Sequence, residues 1–400
     1  MKTIVKKYGG ATLADPEKIK AVALDLRQCH QRGEKLLVVV SAMGQTTNEL
    51  IQLAHQVSHR PKRREMDMLL TTGERISMSL LSMALNDLHC PAISFTGSQA
   101  GVLTDDSHLN AFITEVNSPR VREALSNNQI VIIAGFQGVS PKTKEVTTLG
   151  RGGSDTTAVA MAAALKAHHC EILKDVSGVY SADPKICPTA QQIHQISYQQ
   201  MLEMTFWGAK VLHYRSVELA SQRGVPVYIG PAHNTLEGTW IKEKETAMFE
   251  KVKILSINSH ADVLQLNFEN TTLSEGLTAL QDEFKNKEIS FPQLLTTESM
   301  GPNHNAVFLT GPQEILSAIR REIKSFKLTE IPLATVTATC TGASTPEIAT
   351  LISNQLAKTQ IEPLRLWMSG MSCTLLVKGA DQKAAIAALH DLVMVEIERS

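Results

Sequence analysis

Runs of consecutive apolar residues, more than strict alternation, organise the first half of the chain. Leu36–Val40 and Ile130–Ala134 are unbroken and rich in β-branched residues, as expected of strands buried on both faces. Ile4–Lys7, Cys170–Leu173 and Val225–Ile229 read as further strands. Between them lie helical stretches: Pro16–His30 with Asp15 as its cap, Asn48–Val57, Thr72–Asn86, Ser118–Asn127, Thr156–Lys166 and Val217–Arg223. This alternation predicts an α/β fold: a three-layer sandwich around a mostly parallel open sheet, with ligands bound beyond the carboxyl ends of the strands.

The pattern changes near residue 245. A charged stretch, Glu243–Lys253, is followed by two passages of the same order. The first reads strand Val263–Phe268, helix Ser274–Lys287, strands Gln293–Thr297 and Ala306–Thr310, helix Pro312–Ser325. The second reads strand Ala334–Thr339, helix Thr345–Thr359, strands Glu362–Met368 and Cys373–Lys378, helix Ala380–Leu392. Both are β-α-β-β-α, an internal repeat of small ferredoxin-like α+β units. The expected organisation is therefore a domain over 1–245 and two smaller units over 246–330 and 331–400.

Composition narrows the function. A net charge of −1 gives no electrostatic footprint for nucleic acid, and the basic run His59–Arg64 is short enough to be a solvated loop. The 6 cysteines form no C-x-x-C pair, and free thiols fit a reducing compartment. The N-terminal MKTIVKKYGG lacks the apolar core of a signal peptide, and no apolar stretch is long enough to span a membrane. A cytoplasmic location with no membrane partner is expected.

The chemistry sits in loops that follow strands. Lys7-Tyr8-Gly9-Gly10 joins a cation to two residues whose N–H groups can approach a polyanion without Cβ obstruction; alone, such a pair usually marks only a tight turn. Gly150-Arg151-Gly152-Gly153-Ser154-Asp155 feeds an alanine-rich helix. Ser154 or Asp155 can cap that helix, Arg151 can grip a carboxylate, and Asp155 can orient Lys7 or receive charge around a transferring group; the plainer alternative is a capped helix after a flexible turn. Ser41–Thr47 offers hydroxyls and amides to a small polar substrate, or is simply a loop and cap before the next helix. Thr72-Gly73-Glu74, placed before a helix, supplies a carboxylate for an ammonium or merely a favourable first turn. Lys174–Lys185 is turn-rich, mixes charges with Tyr180, and by composition is simply a loop. His55 and His59 stand four apart with no third ligand nearby and read as surface residues.

Taken in order, KYGG, VVVSAMGQTTNEL, LLTTGERIS, GFQG, GRGGSDTTAVAMAAAL, DVSGVYSADP and GAKVLHYRSVELA resemble the aspartate kinase branch of the amino-acid kinase family. The resemblance implies transfer of the ATP γ-phosphoryl group to the side-chain carboxylate of aspartate. Lys7 and Asp155 would be catalytic. Lys7, Tyr8, Gly9, Gly10, Lys174, Asp175, Tyr180, Lys185 and Lys210 would hold the nucleotide. Ser41, Thr47, Glu74, Phe136, Arg151, Gly153 and Ser154 would hold aspartate. Mg²⁺ would arrive with ATP on its phosphate oxygens. The tail resembles paired ACT domains, which implies an amino-acid effector and a homodimer or higher homo-oligomer. Departures fall at Ala11-Thr12, Lys174 and Lys185, and at the Trp367–Met371 strand of the tail. A kinase of the same fold for another amino acid, or a non-catalytic amino-acid sensor, are the alternatives.

Overall fold

The computed structural model describes residues 2–232, 237–243, 252–287, 289–299, 304–393 and 396–397. The chain forms two compact units. Unit 1 comprises Met1–Val179, Gln192–Thr205 and Lys210–Ala247; unit 2 comprises Tyr180–Gln191, Phe206–Ala209 and Met248–Ser400.

Unit 1 runs β1 (Thr3–Tyr8), α1 (Pro16–Gln31), β2 (Lys35–Val40), α2 (Thr46–Val57), α3 (Arg63–Asp87), β3 (Ala92–Phe95), β4 (Val102–Thr104), β5 (Ile113–Val116), α4 (Pro119–Ser126), β6 (Ile130–Ala134), β7 (Gln137–Val139), β8 (Val146–Thr148), α5 (Gly153–Leu165) and β9 (His169–Lys174). Then come the short β10 (Val179–Tyr180), β11 (Gln192–Ile193) and β12 (Gln195–Ile196), α6 (Tyr198–Phe206), α7 (Tyr214–Arg223), β13 (Val227–Pro231) and β14 (Thr239–Ile241). The main sheet has the order β12-β14-β13-β9-β1-β2-β6-β3, parallel at every junction except β13/β14. A separate sheet, β5-β4-β7-β8, flanks it.

The expected α/β sandwich is present. The strands read from unbroken apolar runs are buried along their length, and Asp15 caps α1 through Lys18 N at 2.9 Å. One face of the sheet packs Tyr8, Val38, Val40, Ile130 and Ile132 against Val22 and Leu26 of α1 and Leu81 and Leu85 of α3. The other face meets α5, whose residues Gly153–Ala162 are all buried. A helix sealed all round explains its alanine-rich composition.

Three local expectations are corrected. The run at 59–64 stays a loop only as far as Lys62. Helix α3 begins at Arg63, where Arg63 bonds the His108 carbonyl at 2.8 Å and Arg64 pairs with Glu145 at 2.9 Å. Thr72-Gly73-Glu74 therefore lies inside a helix of 25 residues, not before one. Nor does Ser154 or Asp155 cap α5; the N-cap is Gly152, in the left-handed conformation, with no side-chain cap.

Unit 2 contains β15 (Val252–Glu269), α8 (Leu273–Asn286), β16 (Gln293–Ser299), β17 (His304–Thr310), α9 (Gln313–Glu322), β18 (Lys327–Leu328), β19 (Leu333–Cys340), α10 (Pro346–Ala357), β20 (Arg365–Met368), β21 (Ser372–Lys378), α11 (Gln382–His390) and β22 (Glu396–Ile397). The two repeats share one sheet, β16-β17-β15-β19-β21-β20. β15 is the common strand: Ile254–Val263 pairs with β19 and Leu264–Glu269 with β17. Of the charged stretch 243–253, residues 244–251 lie outside the described residues, and Val252–Lys253 already belong to β15.

Candidate active site

The parallel strands β9, β1, β2 and β6 end side by side, and the loops leaving their carboxyl ends carry most of the residues singled out above. Alternation along β1 sends Lys6 and Lys7 to opposite faces. Lys6 pairs with Glu171 at 2.9 Å. Lys7 points toward α5, where its Nζ lies 2.7 Å from Asp155 Oδ1. Lys174, at the end of β9, reaches the other oxygen, Asp155 Oδ2, at 2.9 Å, and also donates to the Val211 carbonyl at 2.7 Å.

One buried carboxylate thus lies between two lysines, in the first turn of α5. Burial alone would raise the Asp155 pKa, but the charges of Lys7 and Lys174 outweigh it and hold the carboxyl at about 2. Burial pushes the Lys7 ammonium down from its ordinary value, against the pull of Asp155. The three side chains carry a net positive charge at a helix N-terminus, a setting that favours an anion.

Glycines shape the floor of the site. A Cβ on Gly9 would lie 3.8 Å from Lys7 Nζ, at ordinary contact distance beside the ammonium, and the Gly9 N–H donates to the Leu173 carbonyl at 3.1 Å, which ties the loop to the end of β9. A Cβ on Gly10 would come within 2.7 Å of the Ala42 carbonyl oxygen, and Gly44 N donates to Gly10 O at 3.0 Å. The loop after β1 is therefore laid directly on the loop after β2. Tyr8 is sealed on the opposite face, its hydroxyl donating to Asp25 at 3.1 Å, so only its backbone faces this side.

The Ser41–Gly44 loop meets α3. Ala42 N donates to Glu74 Oε1 at 3.1 Å, and Gly73 has no Cβ that would otherwise press on Ala42 Cβ at 2.8 Å. Glu74 is buried, and desolvation pushes its carboxyl up to about 7. Thr47 lies in the first turn of α2, half-buried, just beyond this loop.

After β6, Phe136 adopts a left-handed backbone (φ 69°), with its N–H donating to Thr157 Oγ1 at 3.1 Å. Ser154 packs on Gly135, where a Cβ would approach Ser154 Oγ to 2.9 Å, and Gly153 packs on the Phe136 ring. Arg151 stands exposed on the preceding turn.

Within unit 1 the fold thus joins Lys7, Gly9, Gly10, Asp155 and Lys174 in one group, Ser41 and Glu74 through the Ala42 loop, and Phe136, Gly153 and Ser154 in a third. Lys210 is exposed and precedes Val211, whose carbonyl binds Lys174; Asp175 is exposed beside Lys174. Tyr180 and Lys185 lie in the segment Tyr180–Gln191, which belongs to unit 2. The sequence motifs assign no role to Gly73, Gly135 or Val211. All three act by backbone or by the lack of a side chain, which leaves no chemical signature.

A model of the amino acid kinase family matches residues 2–231. An aspartokinase of Mycolicibacterium smegmatis is 53% identical over 242 residues, 60% of this chain and 58% of that protein, so this match spans little more than half of the relative's length. Aspartokinase 2 of Bacillus subtilis is 38% identical over 401 residues, 98% of this chain and 97% of that protein. Among solved structures, E. coli aspartokinase III in complex with aspartate and ADP aligns over 98% of this chain and 99% of that one, with a TM-score of 0.78 at 23% identity, a likeness of fold. The chain belongs to the amino acid kinase family. Its end-to-end likeness within that family is to the aspartokinases. Among the described residues, no helix is long and apolar enough to cross a membrane.

Proposed function

We propose that this chain is an ATP-dependent kinase that phosphorylates the side-chain carboxylate of L-aspartate, giving 4-phospho-L-aspartate. The observation that carries the reading is the pair of lysines on one buried aspartate, at a helix N-terminus and beside the Gly9-Gly10 turn. A carboxylate is already a nucleophile, and what opposes its attack on a phosphoryl group is the repulsion of two anions. The site needs positioning and positive charge more than a strong base, and these residues supply both.

In this reading the aspartate carboxylate oxygen bonds to the γ-phosphorus while the bond to the ADP oxygen breaks. Lys7 faces the transferring group, and Asp155 fixes the ammonium without taking a proton, since its carboxyl is held at about 2. Gly9, Gly10, Lys174, Asp175 and Lys210 would line the nucleotide site in unit 1, with Tyr180 and Lys185 assigned to it by resemblance alone. Glu74 would receive the substrate ammonium. Arg151 would grip its α-carboxylate, with Ser41, Thr47, Phe136, Gly153 and Ser154 around it. Mg²⁺ would come in on the phosphate oxygens of ATP and offset charge there. Aspartokinase III, which shares the fold, is solved with aspartate and ADP. The shared sheet of unit 2 supports paired ACT units, with an amino-acid effector and a homodimer as the corresponding expectations.

A hydroxamate assay with purified protein, ATP, Mg²⁺ and a panel of amino acids tests the reading. Acyl phosphate should form with aspartate. Formation only with another amino acid would replace the substrate, and silence with all of them would favour a non-catalytic sensor.

A further inference from the structure

Arg215 lies in the first turn of α7, within the GAKVLHYRSVELA stretch, and backbone carbonyls hold most of its guanidinium. Nη1 donates to the Leu149 carbonyl at 2.6 Å and to Asn110 Oδ1 at 3.2 Å. Nη2 donates to the Ala111 carbonyl at 2.7 Å. The Phe112 ring covers the group, its centroid 4.3 Å from Cζ. Leu149 immediately precedes the turn that carries Arg151, and that turn is unusually constrained. Gly150 and Gly152 both have positive φ, at 75° and 69°. A Cβ on Gly150 would meet Leu109 O at 3.0 Å and Asn110 Oδ1 at 3.1 Å, and one on Gly152 would lie 2.2 Å from His213 Cβ. Leu149 N in turn donates to the Phe136 carbonyl at 2.9 Å.

We propose that Arg215 is a positioning residue for the substrate: it fixes the Leu149–Gly152 turn so that Arg151 meets the carboxylate of aspartate. The inference rests on the kinase reading above. The N-terminus of α7 holds the turn at both ends, Arg215 at Leu149 and His213 at Gly152. The planar fork of Arg215 bridges two carbonyls from different segments, which a single ammonium cannot reproduce. Releasing Leu149 would let the turn relax and displace Arg151, while Lys7, Gly9 and Lys174, held from β1 and β9, keep their places.

The test compares steady-state constants of wild type, Arg215→Lys and Arg215→Gln, together with Arg151→Ala and the Arg151→Ala/Arg215→Lys double variant. KM for aspartate should rise about tenfold or more in Arg215→Lys, while KM for ATP stays within about twofold. In the Arg151→Ala background, adding Arg215→Lys should change KM for aspartate by less than about twofold, because the effect passes through Arg151. Equal rises in both KM values, the same factor in both backgrounds, or an unchanged KM for aspartate in Arg215→Lys would each overturn the inference. If Arg215→Gln does not fold, Arg215→Lys carries the cycle alone. A wild type that makes no aspartyl phosphate removes the kinase reading and this inference with it. An active wild type beside unaffected variants removes this inference only.

Discussion

Glu74 is tied to Ala42 by one oxygen only: Oε1 accepts the Ala42 amide at 3.1 Å, while Oε2 is buried with no hydrogen-bond partner among the described residues. Desolvation raises its pKa to about 7, against the lowering effects of the Ala42 amide and the Lys7 charge. A substrate ammonium at Oε2 would satisfy the orphaned oxygen and favour the ionised form. KM for aspartate should therefore fall as pH rises toward about 7 and level off above it, and Glu74→Gln should flatten this profile. The stability consequence has a definite sign. Because the folded pKa lies above the ordinary 4.5, the contribution of Glu74 is full below 4.5 and is lost as pH rises through about 7. Ligand-free Glu74→Gln should gain melting temperature over wild type at pH 8, and less at pH 6. An equal gain at both would show that Glu74 is not the group responsible.

Lys7 and Asp155 make separable predictions. Lys7→Ala should lower kcat by about 100-fold or more, as removal of a preorganised charge does, with little change in the dissociation constant for aspartate. Asp155→Ala should lower kcat as well, and it also leaves Lys7 and Lys174 without their shared carboxylate. A destabilisation of about 3–5 kcal/mol is then expected, typical of breaking a buried pair. Denaturant melts read the second effect and single-turnover kinetics the first. Wild-type turnover in either variant would show the roles to be misassigned.

The elements legible in the sequence are those whose burial is set by their own composition. Leu36–Val40 and Ile130–Ala134 can only be interior, and Asp15-Pro16 signals a helix start on its own. What is illegible depends on distant partners. The start of α3 looks like a basic loop because Arg63 and Arg64 are held by His108 and Glu145, far away in sequence. Gly73 looks like a helix breaker and is instead the point where α3 approaches Ala42. The N-terminal half of β15 is hidden beside a charged run, although Val252, Ile254 and Ile257 enter the core of unit 2. In the site, the motif residues are legible by type. Their pairing is less so, since no spacing shows that Lys7 and Lys174 converge on one carboxylate.

Gly10 and Gly73 press on the same residue from two sides, and this gives a graded test of the Ala42 loop. Gly10→Ala would drive a methyl to 2.7 Å from the Ala42 carbonyl oxygen, against fixed backbone, while Gly73→Ala would meet the Ala42 methyl at 2.8 Å. Neither contact can persist, so the loop must shift in each case. Overpacking of this kind costs about 1–3 kcal/mol. Both variants should raise KM for aspartate through the displaced Ser41 and Glu74, and Gly10→Ala should also raise KM for ATP. A Gly73→Ala protein with both constants unchanged would mean that the Ala42 loop does not contact substrate.

Ser181 and His390 bind the segment 180–191 into unit 2. Ser181 Oγ lies 2.8 Å from His390 Nε2 and accepts the Gln191 amide at 2.9 Å, while Thr189 Oγ1 lies 3.3 Å from His390 Nδ1. Ala182 and Cys187 of the segment enter the same core as Ile386 and Leu389 of α11. The loop that follows Lys174 in sequence is thus anchored to the C-terminal unit by packing and by one buried imidazole. Ser181→Ala would leave a ring nitrogen unsatisfied, a loss of about 1–3 kcal/mol. Amide exchange should accelerate together in 181–187 and in α11, with β1 and β2 unaffected. Burial holds the His390 pKa below its ordinary 6.5, with Asp391 opposing, so this contribution is present above 6.5 and is lost as pH falls below it. Protection factors in the segment, with the intrinsic pH dependence of exchange divided out, should therefore fall on acidification in wild type, and His390→Gln should remove that dependence. Acceleration confined to 181–187, with α11 still protected, would show that the two are not one cooperative unit.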